Sequence, residues 1–208
     1  MSEYTIHTET YTHKCGKQYL VEVESDHYYG PPEDNSDCHG PVVELDFDPH
    51  DEGAVADYIE SNTEEDSPEE LEERARLSMM RALGRYSYHR SYSGRKYYDV
   101  WEARKIAKKD WGCTTDEQAQ AAVDKDFEYL DGWYCDDWHW VSVAVYALDE
   151  DGEKDEESCS CIGGYESTII DAEQREYFVS TIEELIHDVE YTRRKLQHEG
   201  QLELPLFA

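Results

Sequence analysis

The chain opens on alternation. Tyr4 to Thr12 is rich in β-branched and aromatic residues, and Gln18 to Glu24 alternates polar and apolar positions as a half-buried strand does. Between them His13-Lys14-Cys15-Gly16 has the composition of a turn, so the first two elements read as a hairpin. Asp26 to Pro41, with Gly30-Pro31-Pro32 and Asn35-Ser36-Asp37, reads as a loop, and Pro41 to Phe47 as a third strand. The clearest strand is Trp138 to Leu148. Trp140, Ser142, Ala144, Tyr146 and Leu148 share one face, and Val141, Val143, Val145 and Ala147 the other. Both faces are largely apolar, which predicts a central strand buried on two sides. Asp149 to Gly152 can then turn the chain back into a partner strand over Glu157 to Ile162.

Helical spacing fills the middle and the end. Ser67-Pro68-Glu69-Glu70 combines an N-cap residue, a proline in the first turn and a capping acid. Leu71, Ala75, Met79, Ala82 and Leu83 follow at helical intervals, and Gly84 can stop that helix. Tyr86 to His89 and Tyr97 to Trp101 read as extended. A basic helix spans Glu102 to Lys109 before Trp111-Gly112, and Thr114-Thr115-Asp116-Glu117 starts another that reaches about Leu130. Ser180-Thr181-Ile182-Glu183 is expected to cap the last helix, whose stripe is Ile182, Leu185, Ile186, Val189 and Leu196, with Gly200 as its stop. No internal repeat and no low-complexity tract interrupts this order. The pattern predicts an α+β fold, an antiparallel sheet with helices packed on one side, as a single acidic domain over residues 1–200, followed by an extended C-terminal peptide over 201–208.

Composition narrows the class. The 208 residues suffice for one domain with a proper core. Seventeen Tyr, five Trp and four Phe argue against global disorder. No window approaches the length of apolar run that a membrane span requires, and the N-terminal residues lack the basic and apolar regions of a signal peptide. Six Cys in a chain of this size point to thiols in a reducing cytoplasm.

Charge changes the picture most. Fifty Asp and Glu stand against nineteen Lys and Arg, a formal net of −31. Such a chain repels nucleic acid and anionic membranes and attracts basic surfaces. Generic solubility, a salt-loving host and imitation of DNA, with carboxylates in place of phosphates, all fit that balance. The charge is uneven, however. Between Arg74 and Lys109 eleven Lys and Arg meet only Asp99 and Glu102, a local balance of +9 that leaves −40 on the remainder. Within so acidic a molecule this stripe is expected to pair with carboxylates of its own chain or of another subunit. Direct nucleic-acid contact is not expected.

Catalytic and metal chemistry find little support. Cys15, Cys38, Cys113, Cys135, Cys159 and Cys161 form no paired zinc knuckles; Cys159 and Cys161 would face the same way on a strand, but no second pair has ligand spacing. The acidic runs Glu64-Glu65-Asp66 and Asp149-Glu150-Asp151 sit in expected turns and lack a calcium-loop register. No phosphate-binding glycine loop and no nucleophile elbow is present. His7, His13, His89 and His139 are bases without a recognisable nucleophile beside them. The aromatic run Trp133 to Trp140 reads as a core strand with its approach, or as a recognition surface. No catalytic residue, metal or cofactor is therefore expected.

The most specific feature is Gln201-Leu202-Glu203-Leu204-Pro205-Leu206-Phe207-Ala208. Large apolar side chains here would gain about 1.5–3 kcal/mol each on burial, either against the protein's own body or in a partner's groove. The segment resembles the bacterial sliding-clamp-binding motif, in which Gln and Leu precede an apolar pair, often Leu-Phe. Gln201, Leu202, Leu204, Leu206 and Phe207 match those roles, and the resemblance implies docking in a hydrophobic clamp pocket. The archaeal and eukaryotic clamp motif matches more loosely, through Gln201, Leu204 and Phe207, with Ala208 where a second aromatic is usual. The body from Tyr97 to Ser167 also resembles a family of small acidic bacteriophage proteins. That likeness rests on Tyr97-Tyr98-Asp99-Val100, Lys108 to Gly112, Phe127 to Gly132, Ser158-Cys159 and Ile162-Gly163-Gly164. Together these features imply a non-enzymatic phage accessory protein that docks on a DNA sliding clamp or another host DNA-processing protein. The alternative is a tail-independent DNA mimic that inhibits a host restriction or defence nuclease.

Overall fold

Strand alternation is realised most directly at the two ends of the chain. A computed structural model describes residues 4–35, 38–83, 95–149 and 151–202. The chain clusters into two compact units, residues 1–29 with 138–208 and residues 30–137, where the pattern suggested one body over 1–200.

In the first unit β1 (Thr5–Thr12), β2 (Gln18–Ser25), β5 (Trp140–Leu148) and β6 (Lys154–Glu166) form one antiparallel sheet in the order β1-β2-β5-β6. Tyr19 opposes Ala147, Val21 opposes Val145 and Val23 opposes Val143. Because side chains alternate along a strand, this register puts all six on one face. The helix α6 (Arg175–Leu202) covers that face with Phe178, Ile182, Leu185, Ile186 and Val189, and Ile169 from a short 3-10 turn completes the core. Burying several large aliphatic side chains at about 1.5–3 kcal/mol each makes this contact the main stabilising element of the unit. The fold class is the expected α+β, with the helix on one side of the sheet. The opposite face of β5 is not the fully buried surface that its apolar residues suggested. Ala144 is buried there, but Trp140, Ser142, Tyr146 and Leu148 are only partly covered.

The second unit is mostly helical: α1 (Pro32–Asn35), α2 (Glu52–Asn62), α3 (Pro68–Leu83), α4 (Val100–Lys109) and α5 (Asp116–Tyr134). The expected third strand exists as β3 (Val42–Leu45), but it pairs with β4 (Arg95–Tyr98) in a separate two-stranded sheet. Adjacent residues of β4 serve two cores, as the period of two requires. Tyr97 packs with Leu45, Val55, Ile59, Leu77 and Met80, and Tyr98 with Ala103, Ala107, Val123 and Leu130.

Several element boundaries differ from the pattern, each for a local reason. The helix α2 was not anticipated, although Asp51 caps it through Gly53 and Ala54 and it buries Val55 and Ile59. Val100 and Trp101 are helical rather than extended, because the Asp99 carboxylate accepts from the Glu102 backbone N–H and starts α4 one residue after β4. The helix α5 has a capping box as expected, but one residue later, at Thr115 and Gln118 rather than Thr114 and Glu117, and it continues to Tyr134. The last helix begins at Arg175, so Ser180 lies inside it, and it runs through Gly200 to Leu202. One glycine does not break a helix; it costs about 1 kcal/mol relative to alanine. The expected strand at Tyr86 to His89 lies outside the described residues.

A loop in the second unit is pinned by one carboxylate. Asp126 on α5 accepts from the Tyr98 hydroxyl (2.7 Å) and the Gly40 backbone N–H (2.8 Å), and pairs with His39 Nδ1 (2.6 Å). His39 in turn stacks on Tyr129, with ring planes 8° apart. Glycine is required at position 40, since a Cβ there would collide with the Tyr98 side chain and with Ala103.

Candidate functional site

The helix that bears the candidate docking peptide outruns its own core. Burial along α6 ends at Val189, and among its described side chains none is buried after that residue. Tyr191 is 63% exposed and Leu196 40%, so the last residue of the expected apolar stripe is not part of the buried core. From Glu190 to Leu202 the helix extends roughly 20 Å at 1.5 Å per residue. Gln201 and Leu202 belong to its final turn rather than to an extended peptide. Leu204, Leu206 and Phe207 lie outside the described residues.

Among the described residues, part of the basic stripe meets carboxylates of its own unit, as its surroundings suggested; Arg85 and Arg90 lie outside the described residues. Arg76 bridges Glu73 (2.8 Å) and the buried Asp99 (2.7 Å), and Arg74 pairs with Glu70 (2.8 Å). Lys105 reaches Glu102 (2.6 Å) and Glu72 (3.2 Å), while Arg104 and Lys108 both approach Asp116. Apart from the Asp99 contact these pairs are exposed and screened by solvent, so they add little stability, but they give these cations intramolecular partners. The aromatic run divides between two elements: Trp133 and Tyr134 end α5, whereas Trp138 and Trp140 stack edge to face in the first unit, 5.0 Å apart. No described helix is long and apolar enough to cross a membrane. Among the described residues no group of three or more His, Cys, Asp or Glu is placed to hold a metal ion.

A second arrangement was not visible in the sequence. The β1–β2 turn closes through His13 N–H to Lys17 carbonyl (2.9 Å) and Gly16 N–H to His13 carbonyl (2.8 Å), with Gly16 at φ +87°. A left-handed residue of this kind is where glycine is favoured. The turn brings Cys15 Sγ to 2.8 Å from His13 Nδ1. His13 Nε2 is 3.2 Å from Glu183 Oε2 on α6, and the other Glu183 oxygen accepts from the Tyr11 hydroxyl at 2.6 Å. The Cys15 backbone N–H also points at Nδ1, 3.4 Å away. Nδ1 is thus the acceptor, which leaves the ring proton on Nε2 to donate to Glu183. The contact with His13 lowers the Cys15 thiol from its ordinary value, and a hydrogen bond from the Lys17 backbone lowers it further. Cys15 itself is exposed. A nucleophile therefore does stand beside one of the candidate histidines. Only His-x-Cys in a turn could have hinted at it, and its third member comes from the distant helix α6.

No family model matches the chain, and no curated protein and no solved structure matches it.

Proposed function

We propose that this chain is a non-enzymatic, phage-type accessory protein that docks on a DNA sliding clamp through Gln201, Leu202, Leu204, Leu206 and Phe207. In the host cell it modulates replication or defence. The observation that carries the reading is the residue pattern of that segment, borne at the tip of a helix whose last turns bury none of their described side chains. The described side chains of α6 after Val189 are all partly or fully exposed, which leaves this end of the helix open to a partner. The acidic body, at −31 overall, then sits where DNA would pass and opposes it electrostatically.

Binding of the full chain to a purified bacterial sliding clamp tests the reading, with Leu206→Ala/Phe207→Ala as the comparison. Two large side chains leaving a hydrophobic pocket remove about 3 kcal/mol or more, a loss of affinity of about a hundredfold or greater. Unchanged affinity would overturn it.

The tail-independent DNA mimic is the second reading. It is favoured by the excess of 50 Asp and Glu over 19 Lys and Arg, which leaves a net −31 that no cation of the chain offsets. That reading expects inhibition of a host restriction or defence nuclease that fades as salt rises and survives removal of residues 203–208.

A further inference from the structure

We propose that Cys15 is a modification site, a thiol activated by His13 that exchanges with small-molecule disulfides. Three contacts assemble it: Cys15 Sγ on His13 Nδ1 at 2.8 Å, His13 Nε2 on Glu183 at 3.2 Å, and Tyr11 on the far oxygen of Glu183 at 2.6 Å. This is the nucleophile, base and orienting group of an activated thiol, held within hydrogen-bond reach of one another. The nucleophile in thiol–disulfide exchange is the thiolate, so a group that takes the thiol proton raises reactivity near neutral pH.

The charges around the turn agree with that role. From the hairpin, His13, Lys17 and Tyr19 interact with the thiol; from α6, Glu183 and Glu190 reach those partners. Glu190 would oppose a thiolate, but it is committed to the Lys17 ammonium (2.8 Å) and the Tyr19 hydroxyl (2.8 Å). Glu183 lies across the imidazole from the sulfur, where it stabilises the imidazolium that forms. Cys159 offers the contrast: its thiol donates to the Glu156 backbone carbonyl (3.3 Å).

The exchange balances without an outside electron donor or acceptor. The Cys15 proton moves to His13 Nδ1, and the thiolate attacks one sulfur of the disulfide. A new S–S bond joins Cys15 to that sulfur while the original S–S bond breaks. The bonding pair leaves on the second sulfur, which takes the proton from His13 and departs as a thiol. Cys15 is oxidised to a mixed disulfide and half of the reagent is reduced.

The test uses the full native chain and the aromatic disulfide dithiobis-nitrobenzoate, with peptide mass spectrometry to assign the labelled cysteine. At about pH 6, Cys15 is expected to react about tenfold faster than Cys159. His13→Gln is expected to remove that advantage near pH 6 but not above about pH 9, where an ordinary thiol is largely ionised. A merely structural role for His13 would not produce this convergence. Glu183→Gln leaves the hairpin sequence intact and is expected to give an intermediate rate. Cys15 labelled no faster than Cys159, or a pH–rate profile unchanged in both variants, would overturn the proposal.

Discussion

Replacing Asp126 by alanine removes the one acceptor shared by three groups of the second unit. Tyr98 is fully buried and the hydroxyl it carries donates to this carboxylate at 2.7 Å. Burial first, and then the hydrogen bond and charge of Asp126, push the Tyr98 hydroxyl far above the ordinary tyrosine range, so it stays a donor at any working pH. The Gly40 N–H, also buried, donates at 2.8 Å. Each buried donor left without an acceptor costs about 1–3 kcal/mol, so Asp126→Ala is expected to cost about 2–6 kcal/mol. Loss of the His39 contact at 2.6 Å adds to that figure. Both donors share the single oxygen Oδ2, so Asp126→Asn can keep its carbonyl oxygen there for both and should cost clearly less than Asp126→Ala.

A urea titration followed by tryptophan fluorescence measures the effect, since Trp101, Trp111 and Trp133 belong to the same unit. The decisive comparison is a double-mutant cycle. In a Tyr98→Phe background the stranded hydroxyl is gone, so Asp126→Ala should cost about 1–2 kcal/mol less than in the native chain. A loss under about 1 kcal/mol for Asp126→Ala, or simple additivity in the cycle, would refute the account of this loop as pinned by one carboxylate.

Two further outcomes follow from local contacts. Thr115→Ala removes the side chain that accepts from the Gln118 backbone N–H (3.2 Å) and should cost about 1 kcal/mol, read as a lowered urea midpoint; no change would mean that the capping box does not hold α5. The Tyr11 hydroxyl is pushed up to about 12 from 10.0, first by its hydrogen bond to Glu183 and then by burial. Because the folded value lies above the unfolded one, the stabilisation is fully present below about pH 10 and is lost as pH rises through about 12. The tyrosinate absorbance difference between the native chain and Tyr11→Phe should therefore appear at lower pH in Glu183→Gln, and an unshifted or later appearance would contradict it.

Much of the first unit was legible because period-two patterns declare themselves over a few residues. Val21 and Val23, and Val141, Val143 and Val145, each lie on one strand face whatever the rest of the chain does, so the hairpin, β5 and its return strand were readable. The capping box of α5 was readable to within one residue for the same reason, since donor and acceptor are three residues apart. The helix α2 was missed because Asp and Glu around its start resemble a solvated loop; only Asp51 turning its carboxylate onto Gly53 and Ala54 shows the cap. The start of α4 was missed because Asp99 completes β4 and caps the helix at once.

The candidate docking segment was readable as residue types following the last helix, and the structure describes of it only Gln201 and Leu202, in the final turn of α6. Gly200 looks like a stop in isolation, yet the helix continues past it to Leu202. The site at Cys15 was the least legible. His13 and Cys15 are neighbours in any turn, but their side chains meet at 2.8 Å only because Gly16 adopts a left-handed conformation. Glu183 joins them only because α6 packs across the sheet. Local pattern suffices where an interaction closes within one turn or one strand face. Which strand joins which sheet, which face stays open and which carboxylate meets which histidine depend on contacts between distant segments. Those contacts are set by burial of the shared core, and no short window of residues encodes them.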